Sequence, residues 1–201
     1  MKLNKTLIWI FIAIVAVSAI YRIIPNRPEG FAPQMALALF GGAIIRDKKW
    51  AFALPLFSLF VSDLLYQLLY VSGMTDRQGL YAYQIPMYLC FAVITVFGFL
   101  LKKISFARVA IFGTAGSILF FLLSNLFVLL GGFGFGRPKT FDGLMMCYND
   151  ALLFYRDYGL IRGFYGNLLI GDLFFTAIIF GGYYLVRKMS ASRATHIGMA
   201  N

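Results

Sequence analysis

Two aspartates stand where a lipid bilayer would make them expensive: Asp63, in the apolar run 51–71, and Asp172, in the apolar run 166–186. An ionisable group inside hydrocarbon is costly unless it is paired or solvated, so such residues are functional candidates by default. Asn125, in the run 109–130, adds a strong hydrogen-bonding side chain. At about 1.5 Å per helical residue, Asp63 lies roughly 12 Å, Asn125 about 8 Å and Asp172 roughly 9 Å from the outer ends of their segments. All three are therefore expected to converge in the outer half of a membrane and to line a site for a small molecule. Tyr66 and Gln67 follow Asp63 at i+3 and i+4, on the same helical face. Arg22, Gln34 and Asn149 complete the candidate ligand-binding set, with Tyr83, Gln84 and Asn167 at outer helix ends around the mouth. The competing reading is structural. Arg22 is the nearest cation for either carboxylate and would form a buried pair with one of them, while amide side chains such as Asn125 often only tie helices together.

The residues exclude most catalysis. The only histidine, His196, lies in the polar C-terminal segment, so no apolar run holds the usual general base or the commonest metal ligand. No His-Glu-x-x-His motif is present, and Cys90 and Cys147 are far apart without a Cys-x-x-Cys, giving neither a zinc site nor a disulfide framework. Asp63 and Asp172 meet the bare count for an aspartyl protease. The Gly-x-Gly-Asp motif is not matched, because the chain reads Leu169-Ile170-Gly171-Asp172. No ring of like charge or filter sequence suggests a channel. A protein without catalytic residues, metal or cofactor is expected.

Positioning these residues falls to long apolar elements. Of 201 residues 61% are apolar or aromatic and only 13% charged, with a mean hydropathy of +0.80. Globular domains run near ~45–50% apolar and ~25% charged, so this composition belongs to a membrane protein. Six spans are expected, at about 7–24, 31–45, 51–71, 81–101, 109–130 and 166–186, against the ~20 residues a crossing needs. No segment alternates as a barrel strand does. The fold class is all-α: a polytopic transmembrane bundle forming a single domain, with a tail at 187–201. The net charge of +10 does not form a stripe suited to nucleic acid. Its basic residues sit in small groups between apolar runs, and 11 of the 18 fall in the short segments that are inner if the N-terminus is cytoplasmic. Both ends are then cytoplasmic, in the inner membrane. The rival reading is a secretory signal, with Lys2, Lys5 and a cleavage site at Val17-Ser18-Ala19, which would leave five spans.

The outer loop 131–165 is the only long connection. It opens with Gly131-Gly132-Phe133-Gly134-Phe135-Gly136 and then, from Phe141 to Tyr158, places Leu144, Met145, Tyr148, Leu152 and Tyr155 near helical spacing with Asp142, Asn149, Asp150 and Asp157 between them. This stretch is too polar to cross and suits an interfacial helix resting over the bundle mouth. On such a lid Cys147 should be more reactive than Cys90. Small-residue patches, Ala38-x-x-x-Gly42, Gly113-x-x-Gly116 and Gly181-Gly182, mark tight helix contacts. Ala13, Ala16 and Ala19 form a flat stripe on which a partner helix from another membrane protein would fit.

Several blocks carry a resemblance: Arg22-Ile-Ile-Pro25 with Gly30-Phe-Ala-Pro33 and Ala36-Leu-Ala-Leu-Phe-Gly-Gly-Ala43; Leu54-Pro55 with Ser62-Asp63; and Phe120-Phe121-Leu-Leu-Ser124-Asn125 with Gly143-Leu144, Cys147-Tyr148 and Gly171-Asp172-Leu-Phe174. In this order they resemble a bacterial family of small integral membrane proteins whose function is not established. That family is similar in architecture to the S components of energy-coupling-factor vitamin transporters. The resemblance implies six spans, both ends inside, and a vitamin-sized ligand held near the outer face beneath a loop. In S components that loop joins the first two spans, whereas the longest outer loop here joins the fifth and sixth. The expected function is a small-molecule binding subunit for uptake; the alternative is a non-catalytic structural or accessory subunit of a membrane complex.

Overall fold

A computed structural model describes residues 5–131, 136–158 and 161–198, and side chains from residue 9 to 189 within them. Seven helices occupy them: α1 (Lys5–Ile23), α2 (Gln34–Ile44), α3 (Lys48–Val71), α4 (Gln84–Gly98), α5 (Phe106–Leu130), α6 (Phe141–Tyr158) and α7 (Asn167–Gly198). Among the described residues there is no strand. The helix boundaries have local causes. The chain leaves α1 ahead of Pro25 and turns through Asn26 in the left-handed region, at φ 59°, which Asn tolerates better than most residues. Asp47 caps α3 by accepting from the Lys49 N–H at 3.0 Å, and Ser105 caps α5 through the Arg108 N–H. Gly73, at φ +69°, carries the chain out of α3.

α2 is the axis of the molecule. Gln34 to Leu39, Gly41 and Gly42 are all buried, with α3, α4, α5 and α7 packed around them. One apolar cluster joins Met35, Ala38 and Leu39 to Cys90, Phe91, Ile94, Val109, Phe120 and Phe180. A second joins Leu37 to Val15 and Leu54 on α1 and α3. The closest approach is between α2 and α4. A Cβ on Gly42 would stand 2.1 Å from the Thr95 carbonyl oxygen, and one on Gly98 would stand 2.6 Å from that of Leu39. The expected tight contact at Ala38-x-x-x-Gly42 is therefore present. Gly181 and Gly182 have nothing within 4 Å and mark no contact.

Beside the apolar core the bundle buries several polar side chains and exposes many large apolar ones. Ser58, Ser62, Asp63, Thr95, Ser117, Asp172 and Thr176 are buried, while Trp9, Val17, Phe57, Leu68, Ile85, Phe106, Ile111 and Ile178 are exposed. Exposed apolar area on this scale marks contact with lipid or protein.

The expectation of six membrane-length helices is corrected. Among the described residues three helices are long and apolar enough to cross a membrane: Lys48–Val71, Phe106–Leu130 and Asn167–Met189. The apolar stretches Trp9–Ile23, Gln34–Ile44 and Gln84–Gly98 are shorter. The physical reason is clearest at α2: its 11 residues rise only ~16 Å. An apolar run read from sequence also includes Phe31–Pro33, which lie outside the helix. One other boundary differs. The segment beyond 186, expected as a tail, continues α7 to Gly198. Gly132–Phe135, expected to be a flexible run, lie outside the described residues, as do Met1–Asn4 and with them Lys2. The amphipathic helix Phe141–Tyr158 forms over the expected range.

Candidate functional site

Asp63 sits on the face of α3 that meets α1 and α4, and it is 1% exposed. Its Oδ1 accepts from Arg22 Nη1, which also donates to Ser62 Oγ at 2.6 Å. Its Oδ2 accepts from Gln84 Nε2 at 2.6 Å and from the Tyr88 hydroxyl at 2.8 Å. Gln84 and Tyr88 are four residues apart, so the first turn of α4 presents both to one carboxylate. The Tyr66 hydroxyl donates to the Arg22 carbonyl at 2.6 Å, holding the end of α1 against α3. A carboxylate with a guanidinium on one oxygen and two neutral donors on the other is fully satisfied. The loop from α3 to α4 closes over this cluster through Gly79, where a Cβ would stand 1.8 Å from the Asp63 carbonyl oxygen. Gln67 Oε1 accepts from the Leu80 N–H at 3.0 Å and holds the same loop.

Above the pair opens a pocket of about 470 Å³ lined by Arg22, Arg27, Asp63, Tyr66, Tyr70, Asp76, Arg77, Gln78 and Tyr81. Arg22 and Arg77 lie over the Tyr66 ring, 5.7 and 6.0 Å from its centroid. Arg77 is paired with Glu29, which holds its guanidinium charged above the ordinary arginine range. Arg27 differs from both. Its Nε donates to the Arg22 carbonyl at 2.8 Å and its Nη1 to the carbonyls of Phe31 and Pro28 at 3.3 and 3.4 Å. Among the described residues no carboxylate pairs with it. The pocket thus has a fixed cation with charge to spare, beside tyrosine walls.

The three residues expected to converge do not share a site. Asp63 belongs to the α1–α3–α4 cluster. Asp172 is buried on α7 against α5, where Ser117 hydrogen-bonds its carboxylate. Asn125 Nδ2 donates to the Phe121 carbonyl of its own helix at 2.8 Å. Arg22 lines the pocket with Asp63; Gln67 stands behind its loop; Gln34 is buried on α2, 3.5 Å from Ser58 Oγ. Asn149 is on the exposed face of α6. α6 packs mainly on α5 and only lightly on α7, so it covers the Asp172 side of the bundle and leaves the arginine pocket open beside it. Cys147 is 4% exposed and Cys90 0%, so both thiols are buried, Cys147 facing the bundle from the underside of α6. Sequence reasoning missed Arg27, Arg77, Tyr70 and Asp76, which lie in loops or at helix ends without periodic signal. It also missed Tyr88, although Gln84-x-x-x-Tyr88 carries the i, i+4 spacing. Among the described residues no group of three or more His, Cys, Asp or Glu could hold a metal ion.

Fold and site together define an all-α protein whose membrane-compatible helices enclose a buried Arg–Asp pair beneath an open, arginine-lined pocket. The chain belongs to a family of unknown function (DUF6580), whose model matches residues 2–194. No curated protein matches the chain, and no solved structure does.

Proposed function

We propose that the chain is a multi-pass protein of a bacterial cytoplasmic membrane that binds a small molecule at its outer face as a non-catalytic subunit for uptake. The observation that carries this reading is the pocket of about 470 Å³ over the Arg22–Asp63 pair, a size within the ~300–1,000 Å³ of small-molecule sites. Arg27, held by three carbonyls and free of a carboxylate, suits an acidic group on the ligand. Tyr70 and Tyr81 offer aromatic surface for the rest of a vitamin-sized body. The chain crosses the bilayer six times in this reading, the shorter α1, α2 and α4 included, with both ends cytoplasmic. This is the layout of the S components of energy-coupling-factor transporters, and it leaves the face of α1 bearing Ala13 and Ala16 for a membrane partner.

Mass spectrometry of the purified protein after denaturation tests this. A small acidic molecule released by wild type and reduced at least tenfold in Arg27→Gln supports the site. Equal release from both, or none from either in the presence of a panel of vitamins, overturns it. A second reading, a structural or accessory subunit of a membrane complex, is favoured by the complete pairing of Asp63, which leaves that carboxylate no bond to offer a ligand.

A further inference from the structure

The two buried aspartates are in opposite electrostatic situations. Asp63 has Arg22. Among the described residues Asp172, 2% exposed, pairs with no cation, and its Oδ2 has no hydrogen-bond partner. Thr176 Oγ1, one turn further along α7, is likewise buried and without a partner. Residues four apart share a helical face, and this face meets α5, where Gly113 lies against Thr176 and Ser117 against Asp172. A carboxylate and two hydroxyls therefore meet in the α5–α7 interface. No basic residue stands on α7 before Arg187, on α5 after Arg108, or anywhere on α2. From α6 the titratable group acting on Asp172 is Tyr155, on which Glu29 and Arg27 also act. Of the charged groups of α6 itself, Arg156 and Asp157 are bound to each other, Asp150 is paired with Arg137, and Asp142 is exposed.

A carboxylate enclosed in this way needs a positive charge that the chain does not provide. We propose that Asp172, with the hydroxyls of Thr176 and Ser117, binds a monovalent cation taken from solution, either a sodium ion or a proton. All-oxygen donors of this kind suit a hard cation, and a single carboxylate sets the charge at one. Asp172 and Arg27 both act on the Tyr155 hydroxyl, and a Cβ on Gly30, in the segment that follows Arg27, would stand 2.6 Å from the Tyr155 ring, so occupancy here would be felt at the pocket rim.

Thermal unfolding of the full-length protein in detergent, with sodium chloride exchanged for choline chloride at constant ionic strength and at pH 6 to 9, tests the site. A ligand that binds only the folded state raises the midpoint as its concentration rises. Wild type is expected to gain several degrees, either between 1 and 100 mM sodium at pH 9 or between pH 9 and 6 whatever the salt. The first outcome identifies sodium and the second a proton. Asp172→Asn should flatten the response, and Asp150→Asn, at the exposed ion pair with Arg137, should keep it. Thr176→Val, which preserves shape, should shift the sodium midpoint at least tenfold or leave the proton response in place. A second readout is labelling by dicyclohexylcarbodiimide, followed by intact mass: one adduct at Asp172, slowed by sodium or by rising pH. A wild type that responds to neither ion, or an Asp172→Asn protein that responds as wild type does, overturns the proposal.

Discussion

Asp63 and Asp172 are the same side chain in the same bundle, and their neighbours give them opposite mutational signatures. Removing one partner of a buried pair strands the other, at about 3–5 kcal/mol. Arg22 keeps some access to the pocket, so Asp63→Asn should fall near the lower end, about 3 kcal/mol, and lower the unfolding midpoint by roughly 6–12 °C for a chain of this size. Replacing both partners by apolar residues, Arg22→Met with Asp63→Leu, should recover most of that loss, which a double-mutant cycle would measure. Asp172→Asn strands no cation and keeps an oxygen for Ser117, so its midpoint should stay within a few degrees of wild type under conditions that leave the cation site empty. If both aspartate variants unfold alike, the distinction between them fails. The importance of both carboxylates was legible in the sequence, because a lone Asp in an apolar run is conspicuous. Their separation was not. Depth along a helix follows from counting, but azimuth around the bundle depends on which helices are neighbours, and the apolar runs carry too little periodicity to fix that.

Helix contacts decide what the elements tolerate. At Gly42 an added methyl meets the Thr95 carbonyl, which is backbone and has no rotamer to yield. Gly42→Ala should therefore force α2 and α4 apart and cost about 1–3 kcal/mol. Gly181→Ala, with open space around it, should be neutral or gain up to ~1 kcal/mol of helix propensity. Unfolding midpoints of the two variants, measured together, check the contact directly. α6 supplies a pH signature. Burial, reinforced by Asp172 and Glu29 and opposed by Arg27, pushes the Tyr155 hydroxyl up to about 12. The folded state then holds that proton more tightly than the unfolded chain, so stability is intact below about pH 10 and falls as pH rises towards 12. Tyr155→Phe should show a shallower alkaline loss than wild type; an identical slope would remove Tyr155 from the account. α6 itself could be read from sequence, because its polar and apolar residues alternate with helical spacing. The lengths of α2 and α4 could not, since hydropathy measures apolarity and not helicity.

Across the whole molecule, short helices and a membrane crossing are compatible for a physical reason. α2 rises only ~16 Å against a ~30 Å hydrocarbon core. Protein surrounds it, and non-helical backbone at membrane depth is tolerated where protein encloses it. The non-helical residues on either side of α2 can thus lie within the bilayer without meeting lipid. Helix order supports alternate directions. Arg22 at the end of α1 meets Asp63 in the second half of α3, and Asp63 in turn accepts from Gln84 at the start of α4. At the other end Phe11 meets Trp50 and Phe52 meets Phe99. The arginine-pocket end also gathers Glu29 against Tyr158 and Gly30 against Tyr155, so α6 lies on that side. Arg46, Lys48 and Lys49 around the start of α3 and Lys102, Lys103 and Arg108 around the start of α5 mark the opposite end, so that end should face the cytoplasm. Alkaline phosphatase fused after residue 201 should be inactive and a green fluorescent protein fused there should fluoresce. The phosphatase fused in the 136–140 turn before α6 should be active. An active phosphatase at the C-terminus would invert the molecule and place the arginine pocket on the cytoplasmic side, where a role in uptake from outside would no longer follow.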